Sequence, residues 1–402
     1  MRILIYGGSF NPPHLGHVRS GQVAAAALRP DKVFFIPAAI PPHKQMAEGS
    51  PSGEHRLAMT AIAAQAVPGG EALDIELRRD GPSYTSDTLR ILREQYPGDE
   101  LIFLMGTDML LSIDTWHEPE VILSLATVAV FARESGRRPE LEAKAAKLKE
   151  KYGATVYILD GQPVEVSSTQ IRSMLPKRQG RELLPEGVYA YIIRHRLYDA
   201  QPEFDWLREQ AYAYLKPKRV PHVQGTEAEA RRLAQRWGES VDDAAEAAIV
   251  HDITKKLTLP EQLLLCDKYG IMADDYERTS EKLLHAKTGA AFAQDLFGIP
   301  ERIAQAVRWH TTGKPGMTDL EKIIYLADYI EPGRSGFSGL EELRRAAYED
   351  LDAAMELGLR MSLDEVRSRG QEPHDNTVQA QAWFLNILKE RNMAPVPWEP
   401  EA

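Results

Sequence analysis

Two histidines three residues apart stand just past a glycine pair, in the run Gly7-Gly8-Ser9-Phe10-Asn11-Pro12-Pro13-His14-Leu15-Gly16-His17. Glycines let a backbone approach a ligand closely, and a helix starting near His14 aims its unpaired N–H groups at the same space. A phosphate suits that space. On one face of the helix N-terminus, both imidazoles can donate to phosphate oxygens whose charge grows during phosphoryl transfer. The chain has neither a Walker A loop nor a GxGxxG fingerprint here, so the glycines alone describe only a tight turn. The His-Leu-Gly-His spacing between a strand and a helix carries the phosphate reading. Far along the chain, Ser167-Ser168-Thr169-Gln170-Ile171-Arg172 reads as a helix N-cap with hydroxyls suited to an anion. Arg172 lies one turn past Thr169, within reach of the same phosphates.

A second set of chemistry-bearing residues lies beyond residue 200. His251 is followed by Asp252, and Asp328 ends the apolar run Ile323-Ile324-Tyr325-Leu326-Ala327. At helical spacing His251 shares a stripe with Ala244, Ala247 and Ala248, His310 with Ile303 and Val307, and Asp328 with Ile324, so each faces an interior. A lone interior histidine is more often a satisfied core residue than a ligand. An interior carboxylate is costlier and needs a cation or several donors, so several such groups in one core point to metal.

The elements that must position these residues fall into two blocks. Up to about residue 160, apolar strand-like runs (3–6, 33–36, 101–105, 127–131 and 155–159) alternate with helical stretches at 18–28, 54–66, 85–95 and 140–151. A helix at 186–196 closes the block. This alternation predicts an α/β Rossmann-like domain with a parallel sheet. The polar stretch 199–203 reads as a boundary. Beyond it strand patterns vanish, and helices are expected at 204–215, 226–237, 241–256, 260–269, 281–297, 300–309, 318–330 and 340–360. Two domains are therefore predicted, 1–198 and 204–395, the second all-α, in keeping with the 402-residue length.

Taken together, the first set of motifs resembles the nucleotidylyltransferase superfamily, with its HxGH signature at His14–His17 and its STxIR signature at Ser168–Arg172. Longer matches are similar to bacterial nicotinate-nucleotide adenylyltransferase of the NadD type: Pro41-Pro42-His43-Lys44, Ser83-Tyr84-Thr85-Ser86-Asp87-Thr88-Leu89, and Met105-Gly106-Thr107-Asp108 with Trp116 beyond. The likeness covers roughly residues 1–197, with Val166 standing where the family usually has Ile. It implies adenylyl transfer from ATP to nicotinate mononucleotide with Mg²⁺. His14, His17, Lys44 and Arg172 would be the catalytic phosphate grips. Gly7, Gly8, Ser9, Phe10, Gly106, Asp108, Ser168 and Thr169 would bind ATP, and Tyr84, Thr85 and Trp116 the nicotinate mononucleotide. Trp116 is suited to stack on a cationic pyridinium.

The second set resembles the HD superfamily of metal-dependent phosphohydrolases, whose H…HD…D ligands match His222, His251-Asp252 and Asp328. His285 in Leu284-His285-Ala286-Lys287 and His310 in His310-Thr311-Thr312-Gly313 extend the set to six. With Tyr325-Leu326-Ala327-Asp328-Tyr329-Ile330-Glu331-Pro332 the segment is similar to the YqeK-type HD domain, whose members hydrolyse diadenosine tetraphosphate symmetrically. Four imidazoles and two carboxylates suit iron, manganese or zinc, and the family leans to iron. Six residues exceed what one catalytic ion with open positions needs, so two ions are expected, bridged by Asp252. Lys255 and Arg334 are candidates to hold a neighbouring phosphate.

Composition narrows the setting. With 48 Lys and Arg against 59 Asp and Glu the net charge is −11, which disfavours nucleic acid as a partner. A single cysteine, Cys266, excludes an intramolecular disulfide framework and a Cys-based zinc cluster and predicts a reducing compartment. No run approaches a membrane span, and Met1-Arg2 leads straight into Ile3, so a cytoplasmic, multifunctional enzyme with no membrane partner is expected. Its partners would be ATP, nicotinate mononucleotide and diadenosine tetraphosphate, with homo-oligomerisation left open. The competing readings are a pantetheine-phosphate adenylyltransferase or nucleotide-binding scaffold for the first block, and a nucleotide-sensing HD module without turnover for the second.

Overall fold

The computed structural model describes residues 1–42, 45–132, 137–161 and 166–398. The chain divides into two compact units, Met1–Gln201 and Pro202–Ala402. In the first, six strands form one sheet: β1 (Arg2–Gly8), β2 (Lys32–Pro37), β3 (Gly70–Ala72), β4 (Glu100–Met105), β5 (Thr127–Phe131) and β6 (Val156–Leu159). Their order is β3-β2-β1-β4-β5-β6 and every pairing is parallel. The helices are α1 (Leu15–Leu28), α2 (Gly53–Ala64), α3 (Thr85–Gln95), α4 (Thr107–Ser112), α5 (Pro119–Leu125), α6 (Arg138–Tyr152), α7 (Ser168–Met174) and α8 (Glu186–Arg194).

Strands in a parallel sheet covered by helices are apolar on both faces. Accordingly Ile3–Ile5, Val33–Ile36 and Leu101–Met105 are buried almost without alternation. The sheet's order reverses direction at β1, which has β2 on one side and β4 on the other. Ligands bind at such a switch point, beyond the carboxyl ends of the strands. Gly7-Gly8 end β1 there, and Gly106 follows β4.

The second unit contains only helices among its described residues: α9 (Phe204–Tyr212), α10 (Val220–Trp237), α11 (Val241–Val250), α12 (Leu259–Tyr269), α13 (Glu281–Phe297), α14 (Glu301–Trp309), α15 (Asp319–Ile330), α16 (Leu340–Glu349), α17 (Leu351–Ser368) and α18 (Asp375–Glu390). Three boundaries differ from expectation. Helix α10 begins at Val220 rather than 226, with Pro221 in its first turn where a missing N–H costs nothing. The helix expected over 241–256 gives way to turns after Val250. The stretch 340–360 is two helices, broken at Asp350, whose carboxylate accepts from the N–H groups of Asp352 and Ala353 and so begins α17. No described helix is long and apolar enough to cross a membrane.

Candidate functional sites

In the first unit, His14 is the N-cap of α1, with extended backbone, and His17 lies in its first turn. Their rings lie nearly face to face, centroids 3.8 Å apart and planes 32° apart. The His14 backbone N–H donates to His17 Nδ1 at 3.2 Å. A neutral His17 accepting there carries its proton on Nε2. Burial pushes the His14 imidazole down to about 4, and burial together with the His14 charge holds His17 well below its ordinary range. Both rings are therefore neutral N–H donors at neutral pH.

Helix α7 comes to the same place from the far end of the unit. Ser167 caps it, accepting from Gln170 N at 3.1 Å. Ser168 Oγ donates to Pro12 O at 3.0 Å, and Arg172 Nη1 donates to Asn11 O at 2.7 Å while its Nη2 reaches Thr169 Oγ1 at 3.2 Å. These bonds join the two motifs across more than 150 residues of sequence. A polar cavity of about 390 Å³ is lined by Ser9, His14, His17, Ser168, Thr169 and Arg172.

An adjoining cavity of about 700 Å³ shares Tyr6, Ser9, His17 and Ser20 with the first, and extends past Gly7, Gly8, Gly106 and Asp108 to Tyr84, Thr85 and Trp116. Trp116 also packs edge-on to Phe103, centroids 6.4 Å apart. Asp108 accepts from Arg137 Nη1 at 2.9 Å. Phe10 lines neither cavity. Its ring is fully buried, edge-on to His17 at 5.0 Å and to Tyr6 at 5.7 Å, so it supports the histidine from beneath. A Cβ on Gly8 would come within 3.3 Å of that ring, which explains the second glycine by packing as well as by access. Lys44 lies outside the described residues.

Two residues of this site carried no sequence signal. Arg56 is buried and donates to Ser9 O at 3.0 Å and Ala38 O at 2.6 Å, fixing the glycine loop from below. Glu76 is a buried carboxyl on the wall of the larger cavity, taking a hydrogen bond from Thr88 Oγ1 at 2.8 Å. Burial raises its pKa against the hydrogen bonds of Thr88 and Ser83.

In the second unit the six predicted ligands converge. His222 stands in the first turn of α10, and Arg219 is its N-cap. Ser240 caps α11, which delivers His251 at its C-terminal end, with Asp252 next. His285 lies on α13, and His310 follows the last turn of α14. A capping box starts α15, Thr318 Oγ accepting from Glu321 N at 3.3 Å and Glu321 Oε2 from Thr318 N at 2.7 Å, and Asp328 stands near the end of that helix.

The two oxygens of Asp252 face different partners. Oδ2 lies 3.4 Å from His251 Nε2 and 4.0 Å from His222 Nε2, while Oδ1 lies 3.1 Å from His285 Nε2 and 3.8 Å from His310 Nε2. Asp328 Oδ1 is 2.8 Å from His222 Nε2 and 3.8 Å from His251 Nε2. His251 Nδ1 sits 2.6 Å from Ala248 O and His310 Nδ1 2.6 Å from Val307 O. Each carbonyl accepts a hydrogen bond from Nδ1–H, which leaves each Nε2 lone pair for the cluster, the arrangement of a metal-ligating imidazole.

The histidines differ in their electrostatics: Asp252 and Asp328 raise His251 against its burial, while two other rings shift the opposite way. Burial pushes His310 down to about 3 and lowers His285, with Lys255 adding to the latter. Burial would raise both carboxylates, but the histidines around them, with Lys255 beside Asp252, hold both well below their ordinary range. His251 Nε2 and Asp252 Oδ1 are sealed from solvent without an aligned hydrogen bond. Two triads, His222-His251-Asp328 and His251-Asp252-His310, are each compact enough to hold an ion. A pair of divalent cations fits these residues, since it would use lone pairs that otherwise lack partners.

Three cations and one carboxylate surround the ligands. Arg219 Nε pairs with Asp252 Oδ2, Lys255 Nζ lies 3.1 Å from His285 Nε2 and 3.7 Å from Asp252 Oδ1, and Arg334 Nη2 lies 3.2 Å from Asp328 Oδ1. Glu331 Oε1 is 3.2 Å from His222 Nδ1 and its other oxygen accepts from Gly333 N. Arg219 and Glu331 were not singled out from sequence. Each lies three residues from a ligand, His222 and Asp328 respectively, so helical spacing held the clue.

The class these features define is a cytidylyltransferase-like domain followed by an HD domain: the corresponding family descriptions match residues 5–174 and 219–333. Among relatives, a "Probable nicotinate-nucleotide adenylyltransferase" of Geobacter sulfurreducens is 37% identical over 213 residues, covering 49% of this chain and 98% of its own. One of the same description from Aeromonas salmonicida is 39% identical over 209 residues, covering 49% and 96%. The chain belongs, through its first half, to the nicotinate-nucleotide adenylyltransferase family. Of solved structures, a "predicted HD superfamily hydrolase involved in NAD metabolism" from Clostridium acetobutylicum is 37% identical, covers 46% of this chain and 97% of its own, and has a TM-score of 0.44. Plasmodium falciparum nicotinic acid mononucleotide adenylyltransferase complexed with NaAD is 19% identical, with coverages of 50% and 98% and a TM-score of 0.41.

Proposed function

We propose that the chain is a bifunctional cytoplasmic enzyme. Residues 1–198 transfer the adenylyl group of ATP to nicotinate mononucleotide, releasing pyrophosphate, and residues 204–395 form a YqeK-type hydrolase that splits diadenosine tetraphosphate into two ADP. The observation that carries the first half is the meeting of His14, His17, Ser168, Thr169 and Arg172 around one polar cavity joined to a second that ends at Trp116.

In this reading a phosphate oxygen of the mononucleotide attacks the α-phosphorus in line as the bond to pyrophosphate breaks, with no covalent enzyme intermediate. The protein then contributes position and charge. Neutral His14 and His17 donate N–H bonds to the triphosphate, Arg172 and Lys44 neutralise the departing pyrophosphate, and Ser168 and Thr169 add donors. Mg²⁺ enters with ATP. Gly7, Gly8 and Ser9 let the nucleotide lie against the backbone, with Gly106 and Asp108 on the opposite side. Tyr84, Thr85 and Trp116 receive the pyridine end, Trp116 offering its face to the cationic ring.

For the hydrolase, the support is the division of Asp252 between two histidine groups; with His222, His251, His285, His310 and Asp328 it would hold the metal. When bound, two ions, iron by family resemblance, supply an activated water and neutralise the phosphate it attacks. The chain's own task is to hold the six ligands in their donor forms and to steady the substrate. Arg219, Lys255 and Arg334 lie close enough to the carboxylates to take phosphate oxygens bound there.

The test uses the full chain, purified anaerobically with its metal content measured. ATP is offered with nicotinate mononucleotide, nicotinamide mononucleotide or phosphopantetheine, and dinucleoside polyphosphates are offered separately. Deamido-NAD from the first set and ADP alone from diadenosine tetraphosphate are expected. Activity confined to phosphopantetheine would overturn the first assignment, and tight nucleotide binding without turnover would make the HD domain a sensor.

A further inference from the structure

A cavity of about 770 Å³ opens in the helical unit, and none of the six metal-ligand candidates lines it. Its walls include Lys268 and Tyr269 from α12, Lys287 and Asp295 from α13, and Arg308 and Trp309 from α14. At 100° per residue, Lys287, Ala291 and Gln294 lie on the side of α13 turned away from His285, and Asp295 lies on its flank. The cavity is thus a separate feature, behind two of the helices that carry metal ligands.

Three cations here face one carboxylate. Asp295 is engaged, accepting from Lys268 Nζ and from Tyr269 OH, each at 2.9 Å. Lys287 pairs at 2.6 Å with the buried Glu277, outside the cavity wall. Arg308 makes no hydrogen bond or ion pair with any described residue, although its Nε is sealed from solvent. Glu301 acts on Arg308 through its charge alone, without a hydrogen bond; a half-buried guanidinium whose donors are unfilled is costly, and its fork matches a phosphate in geometry. Trp309, held by Nε1–H donation to Gln305 Oε1 at 2.8 Å, stands beside it, and Tyr269 adds a second ring. Cationic groups next to aromatic faces, in a space of this size, suit an anion that carries a flat ring.

We propose that this cavity is a second ligand site, separate from both catalytic centres, for a nucleoside monophosphate. The phosphate binds Arg308 with Lys287 at its side, and the base lies against Trp309 or Tyr269. The site contains no metal-ligand candidate, so it is independent of the hydrolase reading.

The experiment is photolabelling of the full chain with 8-azido-AMP, followed by peptide mapping. Label is expected on the peptides carrying Tyr269 or Trp309, displaced by AMP at least tenfold more effectively than by adenosine or inorganic phosphate. Arg308→Gln and Lys287→Gln should each lower labelling there at least tenfold, with adenylyl transfer and metal content unchanged. Those two controls report folding, and if one variant fails them the other supplies the result. Label found only in residues 1–201 or on the peptides carrying His222, His251, His285 or Asp328 would overturn the proposal. So would undiminished labelling in the variants, or inorganic phosphate competing as well as AMP.

Discussion

Replacing Glu331 by Gln should loosen the metal centre without touching a ligand. Its carboxylate is 4% exposed and lies 3.2 Å from His222 Nδ1, so it takes that ring's proton and raises the basicity of Nε2, the atom facing Asp328. Glutamine keeps an acceptor oxygen and loses the charge. Partners of this kind are worth ten- to hundredfold in metal affinity, or about 1.4–2.7 kcal/mol. Glu331→Gln should fall near the lower figure and Glu331→Ala near the upper. A second perturbation reaches the same atom from α10, because a Cβ on Gly225 would stand 2.4 Å from Glu331 Oε2. Gly225→Ala must therefore displace the carboxylate, and its loss of affinity should match that of Glu331→Ala. Competition with a coloured chelator, on anaerobically prepared protein, measures the affinity directly, and adenylyl transfer reports folding of the other unit. Unchanged affinity in both Glu331→Ala and Gly225→Ala would refute the claim that this carboxylate supports His222.

Other outcomes follow from the same geometry. Asp252→Ala should lower the metal content and abolish the proposed dinucleotide hydrolysis while leaving adenylyl transfer intact; an undiminished metal content would rule Asp252 out as a ligand. Trp116→Ala should raise KM for the mononucleotide between about 2- and 30-fold, the range of a cation–π contact worth about 0.5–2 kcal/mol, with kcat nearly unchanged; an unaltered KM would leave Trp116 as packing against Phe103. His14 supplies a pH test. Its folded pKa of about 4 lies below the ordinary 6.5, so the unfolded chain binds more protons between those values, and stability is full above pH 6.5 and lost as pH falls toward 4. At 1.36 kcal/mol per unit the loss approaches about 3 kcal/mol. His14→Gln should flatten that part of the stability curve in denaturant titrations, and an identical slope in the variant would contradict a buried, neutral His14.

Much of this architecture was legible in residue patterns, for physical reasons. The central strands read clearly because a sheet covered on both faces needs unbroken apolar runs such as Leu101–Met105. Strand β3 was invisible: Gly70-Glu71-Ala72 has no apolar pattern and exists because β2 offers it a pairing edge. Asp350 reads as an ordinary polar residue within a helical stretch until its carboxylate is seen capping α17. Helix α18 could have been found, since Thr377, Ala380, Phe384 and Leu388 repeat at helical spacing and are buried. The residues that meet in the two clusters, Lys44 and Phe10 aside, stood out in the sequence because phosphate and metal chemistry restricts residue type. Arg56 and Glu76 did not, because a buried charge earns its place through partners distant in sequence.

His17 borders both cavities of the first unit. That imidazole is thus a party wall between two chambers, and its tilt is set from below by Phe10 and from the side by the His14 backbone. On the proposed function, redesign of acceptor scope should accordingly begin at Trp116 or Thr85, since neither borders the smaller, polar chamber. Changes at His17 would remodel both rooms at once.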